Sequence, residues 1–279
     1  MEAIHTLARA LLPREVRNWL RMPGKTFDYL QDRAAFAIGS LCVVKVTDEW
    51  SVRCHPLARR HFEFFRTDPL QAKELTSFFK YAHPGMHLLD IGAHYGFFAL
   101  AALRSGGPTA RVLCVEPSSK AVQVLRANLE ANGAKRNVEI VQTALGDTDG
   151  TLRMLTTGPF GGDYMVVPTK ARTDTVSVKV RSLRSLLEDT SFQPTHIKVD
   201  IEGYEFELLQ AAQDLLSALK PLLYLELHGQ TLQARGKDPA TIIECLRRAG
   251  YDSFICENQA VDDRTMARSS FNCRLVCIP

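Results

Sequence analysis

The chain has 279 residues, 46% hydrophobic and 23% charged, ordinary values that exclude a disordered, collagenous or coiled-coil protein. Its length suits one large α/β domain with an appendage, or two small domains. Lys and Arg number 34 against 31 Asp and Glu, and the resulting +3 is too balanced to argue for nucleic-acid binding.

The first 27 residues carry a helical apolar stripe of Leu7, Leu11, Leu12, Val16, Trp19 and Leu20, interrupted by Pro13 and flanked by arginines. It reads as a packed or partner-facing helix, compatible with a homodimer. No continuous apolar segment of a secretory signal is present, and no run of 18 uncharged apolar residues could form a transmembrane helix. The seven cysteines form no C-x-x-C pair, and Cys114, Cys256, Cys273 and Cys277 sit in apolar runs. Buried free thiols in a reducing compartment, hence a cytoplasmic protein, are the expectation.

Residues 42–54 read as a hairpin turning at Thr47-Asp48-Glu49, and 70–81 as a helix ending before His83-Pro84-Gly85. A regular alternation follows: strand 86–91, helix 97–103, strand 111–116, helix 118–132, strand 138–144. Strand 195–200, a helix from Phe206 to Leu219 stopped by Pro221, strand 222–226, helix 240–248 and closing strands 251–256 and 273–278 complete it. Strand and helix in alternation predict a parallel sheet covered on both faces. Residues 151–194 break the rhythm and read as a β-rich insertion with strands at 151–155 and 176–180. The expected division is therefore a cover, residues 1–83, and a sheet domain, residues 84–279.

Ligands of an open parallel sheet bind beyond the carboxyl ends of its strands. The first strand runs into Asp90-Ile-Gly92-Ala93-His94-Tyr-Gly96, and the second into Glu116-Pro117, 26 positions after Asp90. An acid at that distance from a glycine turn is placed to accept both ribose hydroxyls. His94 and Phe97 occupy two positions where a dinucleotide fingerprint needs glycine, which argues against a pyrophosphate and hence against a nicotinamide oxidoreductase. S-adenosylmethionine, a nucleoside without phosphate, suits this turn. The third strand leads into Ala144-Leu145-Gly146-Asp147, where backbone and acid can face an adenine. The fourth gives Lys198-Val199-Asp200-Ile201-Glu202, and the fifth Glu226-Leu227-His228, gathering acids and an imidazole at the same edge.

The segments LLDIGAHYG, VEPSSKAVQVLRANLEANG, ALGDTDG, IKVDIEGYEFELLQAA and YLELHG resemble the FkbM family of S-adenosylmethionine-dependent methyltransferases over about residues 55–230. IKVDIEGYE is the most specific of them. The resemblance implies a class I Rossmann-like sheet of seven strands, the last antiparallel, and methyl transfer to a hydroxyl of a sugar or natural-product scaffold. It also implies that Asp90, Gly92, Ala93, His94, Gly96, Glu116, Pro117, Ala144, Leu145 and Asp147 line the cofactor site, with Asp200 at the reaction edge. Two departures stand out: His94 replaces a frequent Asn, and Leu183-Arg184 replaces a usual Leu-Asp.

An alcohol must lose its proton as the new bond forms, so a base in hydrogen-bond reach or a divalent cation is expected. Asp200 and His228 are the candidate bases, with Glu202 beside them; Asp200, Glu226 and His228 are the candidate metal ligands. His5, His61, His87 and His196 read as structural, whereas His55 and His83 precede the core and could touch an acceptor. The expected partner is a small hydroxylated molecule and not nucleic acid, since no Pro-Pro follows the fourth strand and no basic aromatic stripe occurs. A nucleic-acid methyltransferase and a non-catalytic cofactor-binding protein are the alternatives.

Overall fold

The computed structural model describes residues 40–157, 163–166, 175–262 and 273–279, together with Ala34. The apolar stripe of residues 1–27 and the glycines at 158, 161 and 162 lie outside the described residues.

Strict alternation builds the hairpin of β1 (Cys42–Thr47) and β2 (Trp50–Cys54): Val44, Val46, Trp50, Val52 and Cys54 are buried and their neighbours face outward. Two helices follow, α1 (Arg59–Thr67), for which no sequence expectation was formed, and α2 (Pro69–Tyr81). Asp68 divides them. Its carboxylate accepts the N–H groups of Leu70 and Gln71, each at 3.0 Å, and Pro69 opens the new helix where a missing N–H costs nothing. Phe62, Phe65 and Phe78 then bury against Phe97 and Phe98 of α3 (Phe97–Gly106), Phe65 lying flat on Phe97 with ring centroids 3.6 Å apart.

The main sheet uses β3 (His87–Ile91), β4 (Arg111–Val115) and β5 (Val138–Val141), with helix α4 (Ser119–Ala131) between the last two. Three further strands complete its centre: β10 (His196–Val199), β11 (Leu222–Leu227) and β14 (Cys273–Ile278). At the far edge lie β12 (Ser253–Cys256) and the two-residue β13 (Gln259–Ala260). The order is β13-β12-β14-β11-β10-β3-β4-β5, with β14 antiparallel to both its neighbours. It is the expected sheet with its antiparallel last strand; the eighth strand, β13, merely extends the hairpin of β12.

The central strands are buried on both faces. Leu88, Val112, Cys114, Tyr224 and Val276 join the hairpin and α1–α4 in one core. Leu89, Ile91, Leu113, Val115, Ile197 and Val199 form the other core with the C-terminal helices. Register places Asp90 opposite Lys198, Lys198 opposite Tyr224, and Glu226 opposite Arg274, so these polar groups share the face that α1 and α2 cover.

Three expected elements differ. The strand expected over 138–144 breaks at Gln142-Thr143, and its end becomes β6 (Ala144–Gly146) of a separate sheet, β6-β9-β7-β8. That sheet includes β7 (Gly150–Thr157), β8 (Asp163–Val166) and β9 (Thr175–Ser182). Thr143 marks the switch, since its hydroxyl donates to Lys179 O at 2.9 Å. Residues 183–190 are helical (α5, Leu183–Thr190); Ser182 caps this helix, and Asp149 accepts Ser182 N–H at 2.7 Å and the Ser185 hydroxyl at 2.8 Å. An acid from a neighbouring turn thus serves the helix start beside Arg184.

The single helix expected over 206–219 is two, α6 (Glu205–Ala211) and α7 (Gln213–Leu219). The Cys245 thiol contacts Leu209 O and Gln213 Oε1 at 3.4 Å, and so offers a partner to the carbonyl that a continuous helix would pair with Gln213. Short α8 (Gly229–Ala234) and α9 (Pro239–Arg248) complete the C-terminal layer. Among the described residues no helix is long and apolar enough to cross a membrane.

Candidate active site

The sheet's order reverses direction at β3, between β10 and β4, and a cavity of about 350 Å³ opens above these strand ends. It has two chemically different ends.

At one end β3 turns through Gly92 (φ +85°), and a Cβ there would stand 1.8 Å from Asp200 O, so only glycine lets the two strand-end turns meet. His94 also adopts a left-handed φ, +47°. Its N–H donates to Glu116 Oε2 at 2.9 Å, while Glu116 Oε1 accepts Ser118 N–H at 2.8 Å. The buried Asp90 carboxyl faces the same space, and its Oδ2 has no hydrogen-bond partner among the described residues. Burial, with Lys198 opposing, pushes Asp90 up to about 7.

At the other end charges are stacked in layers. Lys198 Nζ lies 3.2 Å from Asp200 Oδ2, 3.6 Å from Glu74 Oε1 and 4.5 Å above the Phe98 ring. Arg274 pairs with Glu74 and Glu226, each at 2.8 Å. Burial raises the Asp200 carboxyl, but Lys198 and His228 outweigh it and hold Asp200 at about 2. Burial and the Asp200 charge push Glu226 up to about 8.

His228, at the exit of β11, is set by a residue that sequence reasoning left without a role. Its Nδ1–H donates to Glu205 Oε1 at 2.8 Å, and the same oxygen accepts Gly203 N–H at 2.9 Å. Glu205 is fully buried. His228 Nε2 then looks toward Glu202 Oε2 (3.6 Å), Asp200 Oδ1 (3.8 Å) and Glu226 Oε1 (3.9 Å). Burial lowers this imidazole, yet the Glu205 bond and charge, with Asp200 and Glu202, lift it to about 9. Gly203 (φ +97°) permits the turn, since a Cβ would lie 2.3 Å from Thr231.

Asp90, Gly92, Ala93, His94, Glu116, Pro117, Ala144, Leu145, Asp200, Glu202 and Glu226 all line the cavity. Gly96 shapes it from behind as the cap of α3, Asp147 is exposed beyond β6 outside the wall, and His228 sits just beneath it. His61 lines the cavity edge-on to His94, with ring centroids 5.1 Å apart. His55 instead accepts Leu57 N–H at 3.0 Å, and His83 is also absent from the wall. Phe65, Gln71 and Glu74 join His61 from the cover, and only their helical spacing could have signalled it.

A family model described as the methyltransferase FkbM domain matches residues 90–253, more than half of the chain. The chain belongs to this family. The chain is also 28% identical over 172 residues to a catechol O-methyltransferase of Mycobacterium tuberculosis, covering 60% of this chain and 69% of that one. The FkbM methyltransferase structure from Methylobacillus flagellatus KT aligns with a TM-score of 0.45 and 17% identity, covering 79% of this chain and 54% of that one. The chain thus spans about half the length of that structure. Aeropyrum pernix fibrillarin, solved with bound S-adenosylmethionine, aligns at 0.41 and 10% identity over 70% of this chain and 67% of that one.

Proposed function

We propose that this FkbM domain binds S-adenosylmethionine and transfers its methyl group to a hydroxyl of a small sugar or natural-product acceptor. The observation that carries the reading is the two-ended cavity, with Glu116 and an unpartnered Asp90 oxygen at one end and layered carboxylates at the other. The chain's groups fit the cofactor. The Glu116 carboxylate stands at the strand end where ribose hydroxyls would be held, and Asp90 Oδ2 offers a buried partner for an ammonium.

The sulfonium supplies an activated methyl, so the protein's task is alignment and proton removal. Glu226 is our choice of proton acceptor, in place of Asp200 and His228. Its carboxyl lines the cavity at the end of β11, and once ionised, as pH rises through about 8, it is a far stronger base than Asp200. Asp200 is held too acidic for that role, and the His228 imidazole carries its own proton. Phe65, Phe97 and Tyr204 supply apolar wall that excludes water. The name of the Mycobacterium tuberculosis relative supports an oxygen acceptor.

A methyl-release assay with hydroxylated acceptors should show turnover in the wild type. Glu226→Gln should lower it about 100-fold or more and leave S-adenosylhomocysteine affinity within about twofold. Full turnover by Glu226→Gln would remove the base assignment.

A further inference from the structure

Beneath the cavity floor, one nitrogen is aimed at oxygen atoms that it does not reach. The His228 side chain is 5% exposed, and its Nε2 lies 3.6–3.9 Å from three carboxylates, outside hydrogen-bond distance of each. Glu226 also pairs with Arg274 at 2.8 Å and Asp200 Oδ2 with Lys198 at 3.2 Å, while one oxygen each of Asp200 and Glu202 gathers with a His228 nitrogen, all within 4.8 Å of one another. Two ligands that each stand about 2.1 Å from one ion span at most about 4.2 Å. The Nε2–oxygen separations of 3.6 and 3.8 Å fall inside that span.

We infer that Asp200, Glu202 and His228 form a binding site for a transition-metal dication, which on binding displaces the Nε2 proton of His228 to solvent, with Glu205 as the residue that orients the imidazole. This replaces Glu226, the third ligand expected from the sequence, by Glu202. Two carboxylates and one imidazole are a mixed oxygen–nitrogen set, which suits Mn²⁺, Co²⁺ or Zn²⁺ better than Mg²⁺ or Ca²⁺, ions that prefer oxygen alone. A metal-bound histidine characteristically gives its other N–H to a carboxylate, and the 2.8 Å bond from Nδ1 to fully buried Glu205 is that arrangement. Glu202 sits at a left-handed φ of +54°, which turns its carboxylate back toward the ring. Asp200 and Glu202 also line the cavity, so an ion here would keep open positions facing the acceptor. There it would lower the hydroxyl's pKa.

That use of the ion rests on the methyltransferase reading; the site itself does not, and the two are separable by experiment. The chain, stripped by chelator, is titrated with Mn²⁺ by electron paramagnetic resonance and with Co²⁺ by visible absorption, without cofactor. One saturable ion per chain is expected. Glu202→Gln, altering a half-exposed side chain, should weaken binding by at least about 10-fold, and Glu205→Gln by about 10–100-fold. S-adenosylhomocysteine is titrated in parallel by calorimetry. Absence of saturable Mn²⁺ or Co²⁺ binding up to about 1 mM in a chain that binds S-adenosylhomocysteine overturns the metal site alone. Unchanged affinity in Glu202→Gln overturns the ligand set. Metal binding without S-adenosylhomocysteine binding upholds the site and rejects the methyltransferase reading.

Discussion

Asp90 brings a buried carboxyl to the cavity wall. Its folded pKa of about 7 lies above the ordinary 3.8, so the folded chain holds this proton more tightly than the unfolded one. Stability without ligand should therefore fall as pH rises from about 4 through about 7, by about 4 kcal/mol from this group. Asp90→Asn should flatten that slope in denaturant titrations at pH 5 and 8. An ammonium seated against Oδ2 favours the ionised carboxyl, so S-adenosylhomocysteine affinity should rise with pH up to about 7 in the wild type and not in Asp90→Asn. Equal slopes for the two chains would refute the assignment. Gly92→Ala should destabilise the fold by at least about 2 kcal/mol, because it adds a Cβ 1.8 Å from a backbone oxygen at a left-handed φ. A melting curve unchanged from wild type would contradict this. That Gly92 and Glu116 line the cavity was legible in the sequence because backbone turns close by in the chain place them there. Glu205 was not, since its importance comes from His228, 23 positions away, brought alongside by the pairing of β10 with β11.

At the scale of elements, the two helices before the sheet help to shape the cavity. α1 and α2 carry His61, Phe65, Gln71 and Glu74 to the cavity, and Glu74 ties α2 to Lys198 and Arg274 of the sheet. Phe65→Ala removes a ring that is 4% exposed and stacked on Phe97, and should cost about 3–5 kcal/mol in urea denaturation. A loss under about 1 kcal/mol would mean that the cover is not packed as described. The parallel strands were readable as short apolar runs bounded by turns. The break between β5 and β6 was not, because Val138 to Ala144 reads as one strand and a tertiary bond from Thr143 to Lys179 decides where it divides. The division of the helix at Ala212 escaped for a similar reason: its partner thiol, Cys245, comes from a helix later in the chain.

For the whole molecule, one sheet separates two cores, and its polar residues collect on the face that the cover closes. That arrangement gathers Glu74, Asp200 and Glu226 with Lys198 and Arg274, buried or half-buried, beside a cavity open at the strand ends. The near-neutral composition at the start says nothing of this concentration, which only folding creates. The most direct test of the account is a calorimetric titration of the intact chain with S-adenosylhomocysteine. The account predicts saturable binding of one molecule per chain, weakened at least about 10-fold in Glu116→Ala. No binding by the folded wild type, or equal affinity in Glu116→Ala, would contradict it.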